Sequence, residues 1–197
     1  MIGEYFNQRA GTWDETRSGT DMSKLELMSR RLKIKPGSTV LDVGCGTGVF
    51  IPFLLSRIGG EGRLVALDIA EEMLKRARAK GFKDIEYLLA DVTNIPLGDG
   101  IFDAVVCYSS FPHFQDKPKA LAEISRVTKS GGQLLICHTS SRAVVNQLHH
   151  QIPAVANDII PDEPEMRLML SQAGFTDIRI DDGKESYLAR ARKPRLA

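Results

Sequence analysis

The sequence predicts an α/β protein with a mostly parallel sheet and helices on both of its faces. Short apolar and β-branched runs, each the length of a buried strand, alternate with segments of helical periodicity. A glycine-rich turn joins the first of these runs to the helix that follows it. Strands that alternate with helices form right-handed βαβ crossovers, and successive crossovers produce a parallel sheet.

The central part of the chain contains five predicted strands with three clear crossover helices between them. The strands are Thr39–Val43, Arg63–Leu67, Ile85–Leu89, Phe102–Tyr108 and Gln133–Cys137. The helices are Val49–Ile58, Glu71–Lys80 and Pro118–Thr128. Gly59 and Gly81 follow the first two helices, where a residue with few steric limits lets the chain turn.

The N-terminal segment is predicted to be helical. Leu25, Met28 and Leu32 fall on one helical face, so the chain before Thr39 should form one or two helices that pack beside the sheet. We expect residues 1–37 to form a cap over a core at residues 38–138.

The C-terminal segment, residues 139–197, should hold helices on the substrate side and an antiparallel hairpin. Asp162 caps a helix that begins with acidic residues and a proline and ends at Gly174. The strands Thr176–Ile180 and Ser186–Ala191 follow, with the hairpin turn predicted at residues 181–183. The sheet would then have seven strands in a single domain, 1–197.

Composition limits the classes of function. The chain has 197 residues, of which 43% are hydrophobic and 26% charged, as in ordinary globular domains. The formal net charge of +1 argues against a nucleic-acid partner.

The absence of a long apolar run or a signal sequence argues against a membrane protein and favours a cytoplasmic protein. Three separated cysteines without a CxxC pair favour neither disulfides nor a metal site. Small molecules are the expected partners, and the oligomeric state is left open.

The segment VLDVGCGTG, residues 40–48, lies between the first strand and the first helix. Gly44 and Gly46 let a ligand lie against the backbone, close to the positive end of the helix. A dinucleotide fingerprint would need a third glycine where Val49 stands. Asp42 would repel a pyrophosphate but attract an ammonium or a sulfonium. A nicotinamide cofactor is therefore disfavoured.

These motifs resemble those of class I, Rossmann-like S-adenosylmethionine-dependent methyltransferases, over roughly residues 38–138. The similarity is greatest to the small-molecule enzymes of menaquinone and ubiquinone biosynthesis and their relatives. The resemblance implies S-adenosylmethionine as cofactor, with Asp68 on the ribose hydroxyls, Ile69 beside the adenine, and Asp91 and Val92 in contact with the adenine. The implied cofactor-binding residues are Asp42, Gly44, Cys45, Gly46, Gly48, Asp68, Ile69, Asp91, Val92 and Tyr108.

The acceptor and the catalytic residues are less constrained, because methyl transfer can be catalysed by positioning alone. His113 and His138 follow the fourth and fifth strands, so either could accept a proton from the acceptor. Tyr5, Trp13 and His149 are candidates for the substrate side of the site. Two alternatives remain open: a protein that binds S-adenosylmethionine without chemistry, and a nicotinamide-dependent oxidoreductase.

Overall fold

The sheet of the predicted α/β fold is present in the computed structural model, which describes residues 2–16 and 21–195. Within these residues the strands are β1 (Thr39–Val43), β2 (Arg63–Asp68), β3 (Ile85–Leu89), β4 (Phe102–Tyr108), β5 (Thr128–His138), β6 (Thr176–Asp182) and β7 (Tyr187–Arg192). They form one sheet in the order β3-β2-β1-β4-β5-β7-β6. Strands β1 to β5 pair in parallel, whereas β7 runs antiparallel between β5 and β6. The predicted seven-stranded Rossmann-like sheet with its C-terminal hairpin is confirmed.

Helices in the described ranges connect the strands and cover both faces of the sheet. They are α1 (Ile2–Arg9), α2 (Trp13–Thr16), α3 (Met22–Arg31), α4 (Ile51–Ile58), α5 (Glu71–Ala79), α6 (Lys117–Val127), α7 (Arg142–His150) and α8 (Glu163–Gln172). Three short 3-10 turns lie at Ala10–Thr12, Phe111–His113 and Pro153–Val155.

The core consists of two apolar layers, one on each face of the sheet. Val105 of β4 belongs to the layer that includes Ile124 of α6 and Met166 of α8. The next residue, Val106, faces the other layer, with Leu25 of α3 and Leu54 of α4. Since both faces are buried, the central strands are apolar at nearly every position.

Three boundaries differ from the sequence prediction by more than one residue. Helix α4 begins at Ile51, because turn hydrogen bonds from Gly48 N to Cys45 O and from Ile51 N to Gly48 O keep the preceding residues non-helical. Strand β5 begins at Thr128 and contains an irregularity before Gln133. The predicted hairpin turn was wrong by about two residues: the aspartates at 181 and 182 pair within the strands, and the turn closes from Gly183 N to Ser186 O.

The expected cap at residues 1–37 consists of two parts in the structure. Helix α1 packs against α5, whereas α3 packs against α4 and contributes the buried Leu25 and Met28 to the core. The division of the chain at residues 37 and 138 stays a prediction. No helix among residues 2–16 and 21–195 is long and apolar enough to span a membrane.

Candidate active site

A cleft of about 360 Å³ opens at the carboxyl ends of β1, β2 and β4. The chain leaves β1 towards β2 on one side and later returns to form β4 on the other, so this is the switch point of the sheet. Ligands of open α/β sheets bind at such points. The volume falls within the range of small-molecule sites.

The glycine loop after β1 forms the floor of the cleft. Gly44, Gly46 and Gly48 have φ values of +72°, +55° and +83°, which disfavour side chains. A Cβ on Gly44 would lie 2.4 Å from Cβ of Ser110, so the loop passes directly against the chain after β4. A Cβ on Gly46 would meet no atom within 4 Å and would project into open space. Gly46 therefore leaves open space in which a ligand can approach the backbone, and Gly44 lines the cleft beside it.

Asp68, at the end of β2, fixes the glycine loop in place. One carboxylate oxygen accepts a hydrogen bond from Gly46 N at 2.7 Å, and the other accepts one from Ala70 N at 2.8 Å. The side chain is largely buried but lines the cleft. Burial raises its pKa, although these backbone hydrogen bonds oppose the shift. Asp68 thus holds the loop at a position that borders the cleft.

Asp42 is a fully buried carboxylate two residues before Gly44. Neither of its oxygens has a hydrogen-bond partner among the described residues. Burial, and secondarily the charge of Asp68, raise the pKa of Asp42 to about 7. An unpartnered carboxylate is costly in a protein interior unless a positive charge approaches it. Asp42 is buried behind the lining residues, two positions before Gly44, so its charge favours a cationic ligand in the cleft without direct exposure to it.

One wall of the cleft is formed by the residues after β2 and β3. Ile69 is partly exposed and Val92 is buried, and both line the cleft with apolar surface. Asp91 also lines it, and its Oδ1 accepts a hydrogen bond from Thr93 N at 2.8 Å. This wall could therefore bind a ligand with a flat polar ring, through two apolar side chains and one carboxylate.

The opposite wall follows β4. Tyr108 lines the cleft, stacks on Phe50 at 4.5 Å between ring centroids, and shares a 3.0 Å hydrogen bond with Thr139 Oγ1. Ser110 donates a hydrogen bond to Val43 O at 2.6 Å and so links this wall to β1. His113 closes the 3-10 turn that follows and also lines the cleft.

Helices α1 and α2 cover the cleft. Phe6 and Trp13 line it, and the Phe6 ring meets the His113 ring edge-on at 5.0 Å. Asp14 fastens the cover because it accepts a hydrogen bond from Thr47 Oγ1 and forms a 2.9 Å salt bridge with Lys80. The cover is therefore attached both to the glycine loop and to the residue that follows α5.

The predicted site residues separate into two groups. The cleft is lined by Gly44, Cys45, Gly46, Asp68, Ile69, Asp91, Val92, Tyr108, His113 and Trp13. Five other predicted residues are not among the described residues that line it: Asp42, Gly48, His138, Tyr5 and His149. Asp42 is buried, and packing contacts explain the positions of the other four residues.

Gly48 has a packing role, since a Cβ there would lie 3.0 to 3.3 Å from Ile51, Ala77 and Phe82. His138 is buried against Tyr187 at the β5–β7 pairing, which makes it a poor candidate for contact with an acceptor. The Tyr5 ring packs against the guanidinium of Arg9 and the ring of Phe6.

His149 contacts the cleft wall only indirectly, by packing against His113. Its ring lies 4.8 Å from the ring of His113, and its Nδ1 forms a hydrogen bond with the carbonyl oxygen of Asp158. It therefore stabilises the cleft wall by packing against His113 and binding the Asp158 carbonyl oxygen. No cluster of His, Cys, Asp and Glu suited to a metal ion occurs among residues 2–16 and 21–195.

Comparison with known proteins identifies the family. A family model described as a methyltransferase domain matches residues 41–136. The chain is 31% identical to the ubiquinone/menaquinone biosynthesis C-methyltransferase UbiE of Escherichia coli O1:K1, over 74% of this chain and 69% of that protein. The chain belongs to the class I S-adenosylmethionine-dependent methyltransferases.

Solved structures support the same assignment. The S-adenosylmethionine-dependent methyltransferase from Aquifex aeolicus superposes with a TM-score of 0.74 at 29% identity, covering 91% of this chain and 97% of that chain. A putative methyltransferase from Haloferax volcanii, solved with the Trm112 activator, shares the fold with a TM-score of 0.79 at 22% identity, covering 96% and 98%. S-adenosylmethionine is accordingly the cofactor of this methyltransferase.

The cleft of this methyltransferase fits that cofactor. S-adenosylmethionine carries positive charge on its sulfonium and its ammonium, and the buried, unpartnered carboxylate of Asp42, two residues before Gly44, provides the opposite charge near the floor. The open space at Gly46 allows close approach to the backbone.

Some residues that build the site were not predicted. Ser110, the Asp14–Thr47 contact and Asp158 all depend on chain segments that meet only in the folded protein. A positive φ of +53° at Ser109, a non-glycine residue in the cleft wall, also left no signal in the sequence. Such strain is common at functional sites.

Proposed function

We propose that this methyltransferase transfers a methyl group from S-adenosylmethionine to a small-molecule acceptor in the same cleft. The observation that carries the proposal is the cover: Phe6 and Trp13 line one side of a mostly apolar cleft of about 360 Å³. A partly covered apolar cleft of this size suits a small acceptor better than a folded macromolecule. The relative UbiE is, by its name, a C-methyltransferase of ubiquinone and menaquinone biosynthesis, and this supports a small-molecule acceptor.

The cofactor, when bound, supplies a methyl group on a positively charged sulfur that a nucleophile can displace in line. Asp68 would accept hydrogen bonds from both ribose hydroxyls, a task suited to a carboxylate with two oxygens. Asp91 would accept the exocyclic amine, with Ile69 and Val92 on the adenine faces. The buried charge of Asp42 would favour the cationic end of the ligand.

The aromatic cover has two roles in this proposal. Phe6 and Trp13 would exclude water from the reacting atoms, which strengthens the electrostatic interactions inside the cleft. Their ring faces would also attract positive charge near the cofactor. Of the two histidine candidates for a proton acceptor, we assign the role to His113, since His138 is buried against Tyr187.

The test is transfer of tritium from S-adenosyl-[methyl-³H]methionine to a small-molecule extract, with the purified protein added. Label in a low-molecular-mass product, dependent on the protein and inhibited by S-adenosylhomocysteine, is expected. Tight binding of S-adenosylhomocysteine without labelled product in any extract would favour the non-catalytic alternative. Label in macromolecules alone would contradict a small-molecule acceptor. The cytoplasmic location stays a prediction.

A further inference from the structure

The loop after α7 brings a carboxylate into contact with a histidine of the cleft. Asp158 Oδ2 lies 2.9 Å from His113 Nδ1, and the two side chains are only 13% and 15% exposed. Asp158 lies outside every motif that predicted the site, 45 residues beyond the histidine. The contact joins the β4 wall of the cleft to the segment between α7 and α8.

Further contacts restrain both members of this pair. Gln115 Nε2 donates to the other carboxylate oxygen of Asp158 at 3.4 Å, and His149 bonds to the Asp158 carbonyl oxygen. His113 N donates to Ser110 O at 3.0 Å within the 3-10 turn, and the His149 and Phe6 rings pack against the His113 ring. A side chain held from several directions keeps one orientation, as a proton acceptor requires.

We propose that Asp158 is a positioning residue that makes His113 the proton acceptor of the methyl transfer, and that the acceptor is an apolar molecule bearing a hydroxyl group. The inference rests on the proposed function. A carboxylate at Nδ1 favours the tautomer with the proton on that nitrogen, which gives Nε2 the lone pair. The same carboxylate stabilises the imidazolium that forms when Nε2 takes a proton.

The reaction balances in atoms and charge. The acceptor hydroxyl gives its proton to His113 Nε2, while the oxygen, or the carbon that it activates, forms a bond to the methyl group. The bond between methyl and sulfur breaks, and its electron pair stays on sulfur. One positive charge disappears at sulfur, and one appears on the His113 imidazole beside Asp158. The imidazole later releases this proton to solvent.

The chemistry of the cleft selects this acceptor class. The cover beside His113 is aromatic, through Phe6 and Trp13, so the body of the acceptor should be apolar or aromatic. A hydroxyl group is a weak nucleophile until its proton is removed, and a positioned base contributes about 10²–10⁴-fold to such steps. A base in this position is of no use to an acceptor that has no proton to lose.

The tautomer of His113 tests the pair directly. The chain has four histidines, so ¹⁵N-histidine labelling and long-range ¹H–¹⁵N NMR at pH 9 can assign each ring, with His113→Gln identifying the signal. We expect His113 in the Nδ1–H tautomer in the wild type with S-adenosylhomocysteine bound. Asp158→Asn, whose amide can turn a donor towards the ring, should shift the population to Nε2–H.

Asp99→Asn is the matched control, because it removes a carboxylate that is 79% exposed and paired with Arg126 outside the cleft. It should leave the His113 tautomer unchanged. Asp158→Asn should lower the initial rate of tritium transfer by about 10²-fold or more, with S-adenosylhomocysteine affinity nearly unchanged. Asp158→Glu, which restores a carboxylate, should recover part of that rate.

The possible negative results separate the proposed function, the role of Asp158 and the hydroxyl acceptor. If S-adenosylhomocysteine does not bind the wild type, the proposed function fails. If it binds but His113 is in the Nε2–H tautomer, or if Asp158→Asn leaves both tautomer and rate unchanged, the role of Asp158 is refuted while the proposed function stands. A labelled product methylated on nitrogen, as determined by NMR of the isolated product, would overturn the hydroxyl acceptor.

Discussion

Replacing Asp42 with asparagine should change how the stability of the protein depends on pH. Burial first, and the charge of Asp68 second, raise the pKa of Asp42 from its ordinary value of 3.8 to about 7. Between these two values the folded protein keeps a proton that the unfolded chain releases, so the free energy of unfolding falls as the pH rises. The loss is complete above about pH 7, where about 1.4 kcal/mol per pKa unit gives about 4 kcal/mol in total.

Urea unfolding of both proteins without ligand, at pH 5 and at pH 8, measures this effect. Asparagine has no proton to lose, so the stability of the variant relative to wild type should rise by about 2–3 kcal/mol between pH 5 and pH 8. Groups other than Asp42 are present in both proteins and largely cancel in the comparison. A relative stability that does not change with pH would refute the view that Asp42 ionises in the interior without a partner.

Three further predictions concern the glycine loop, its support and its cover. Gly44→Ala should destabilise the protein by about 2–4 kcal/mol, because residue 44 has a positive φ and its new Cβ would clash with Ser110. Gly46→Ala should destabilise it by only about 1 kcal/mol. Calorimetry should nevertheless show weaker binding of S-adenosylhomocysteine to Gly46→Ala. Equal stability losses would contradict the different surroundings of the two glycines. Asp68→Ala should lower that affinity about 10–100-fold and the stability by about 1–3 kcal/mol, since two backbone N–H groups lose their acceptor. Asp14→Ala should speed hydrogen exchange in residues 2–16 while leaving β1 protected, and unchanged exchange there would show that Asp14 does not fasten the cover.

The central fold was predictable because its signals are local. Strands β1, β3 and β4 begin and end where they were predicted, since each is a short run with a polar or glycine residue next to at least one of its ends. The hairpin turn was misplaced because Asp181 and Asp182 have turn-forming side chains that here bind Arg31 and Arg142 instead. Tertiary contacts outweighed local turn preference.

The cofactor side of the site was predictable to a greater extent than the acceptor side. Gly46 follows β1 and Asp68 ends β2, so each lies where a strand leads into its helix, and there the position along the chain nearly fixes the position in space. Asp158 and Asp14 reach the site from distant segments, and no spacing rule connects them to His113 or Thr47. His113 follows β4 and His138 ends β5, and the packing of β7 on β5 distinguishes the buried histidine from the one that lines the cleft.

The most direct test of the account is calorimetric titration of the purified protein with S-adenosylmethionine, S-adenosylhomocysteine and NADH, repeated on Asp68→Ala. We expect the first two ligands to bind with micromolar affinity, NADH not to bind, and the variant to bind at least about tenfold more weakly while remaining folded. Binding of NADH alone, or unchanged affinity in folded Asp68→Ala, would contradict the assignment of this cleft to S-adenosylmethionine.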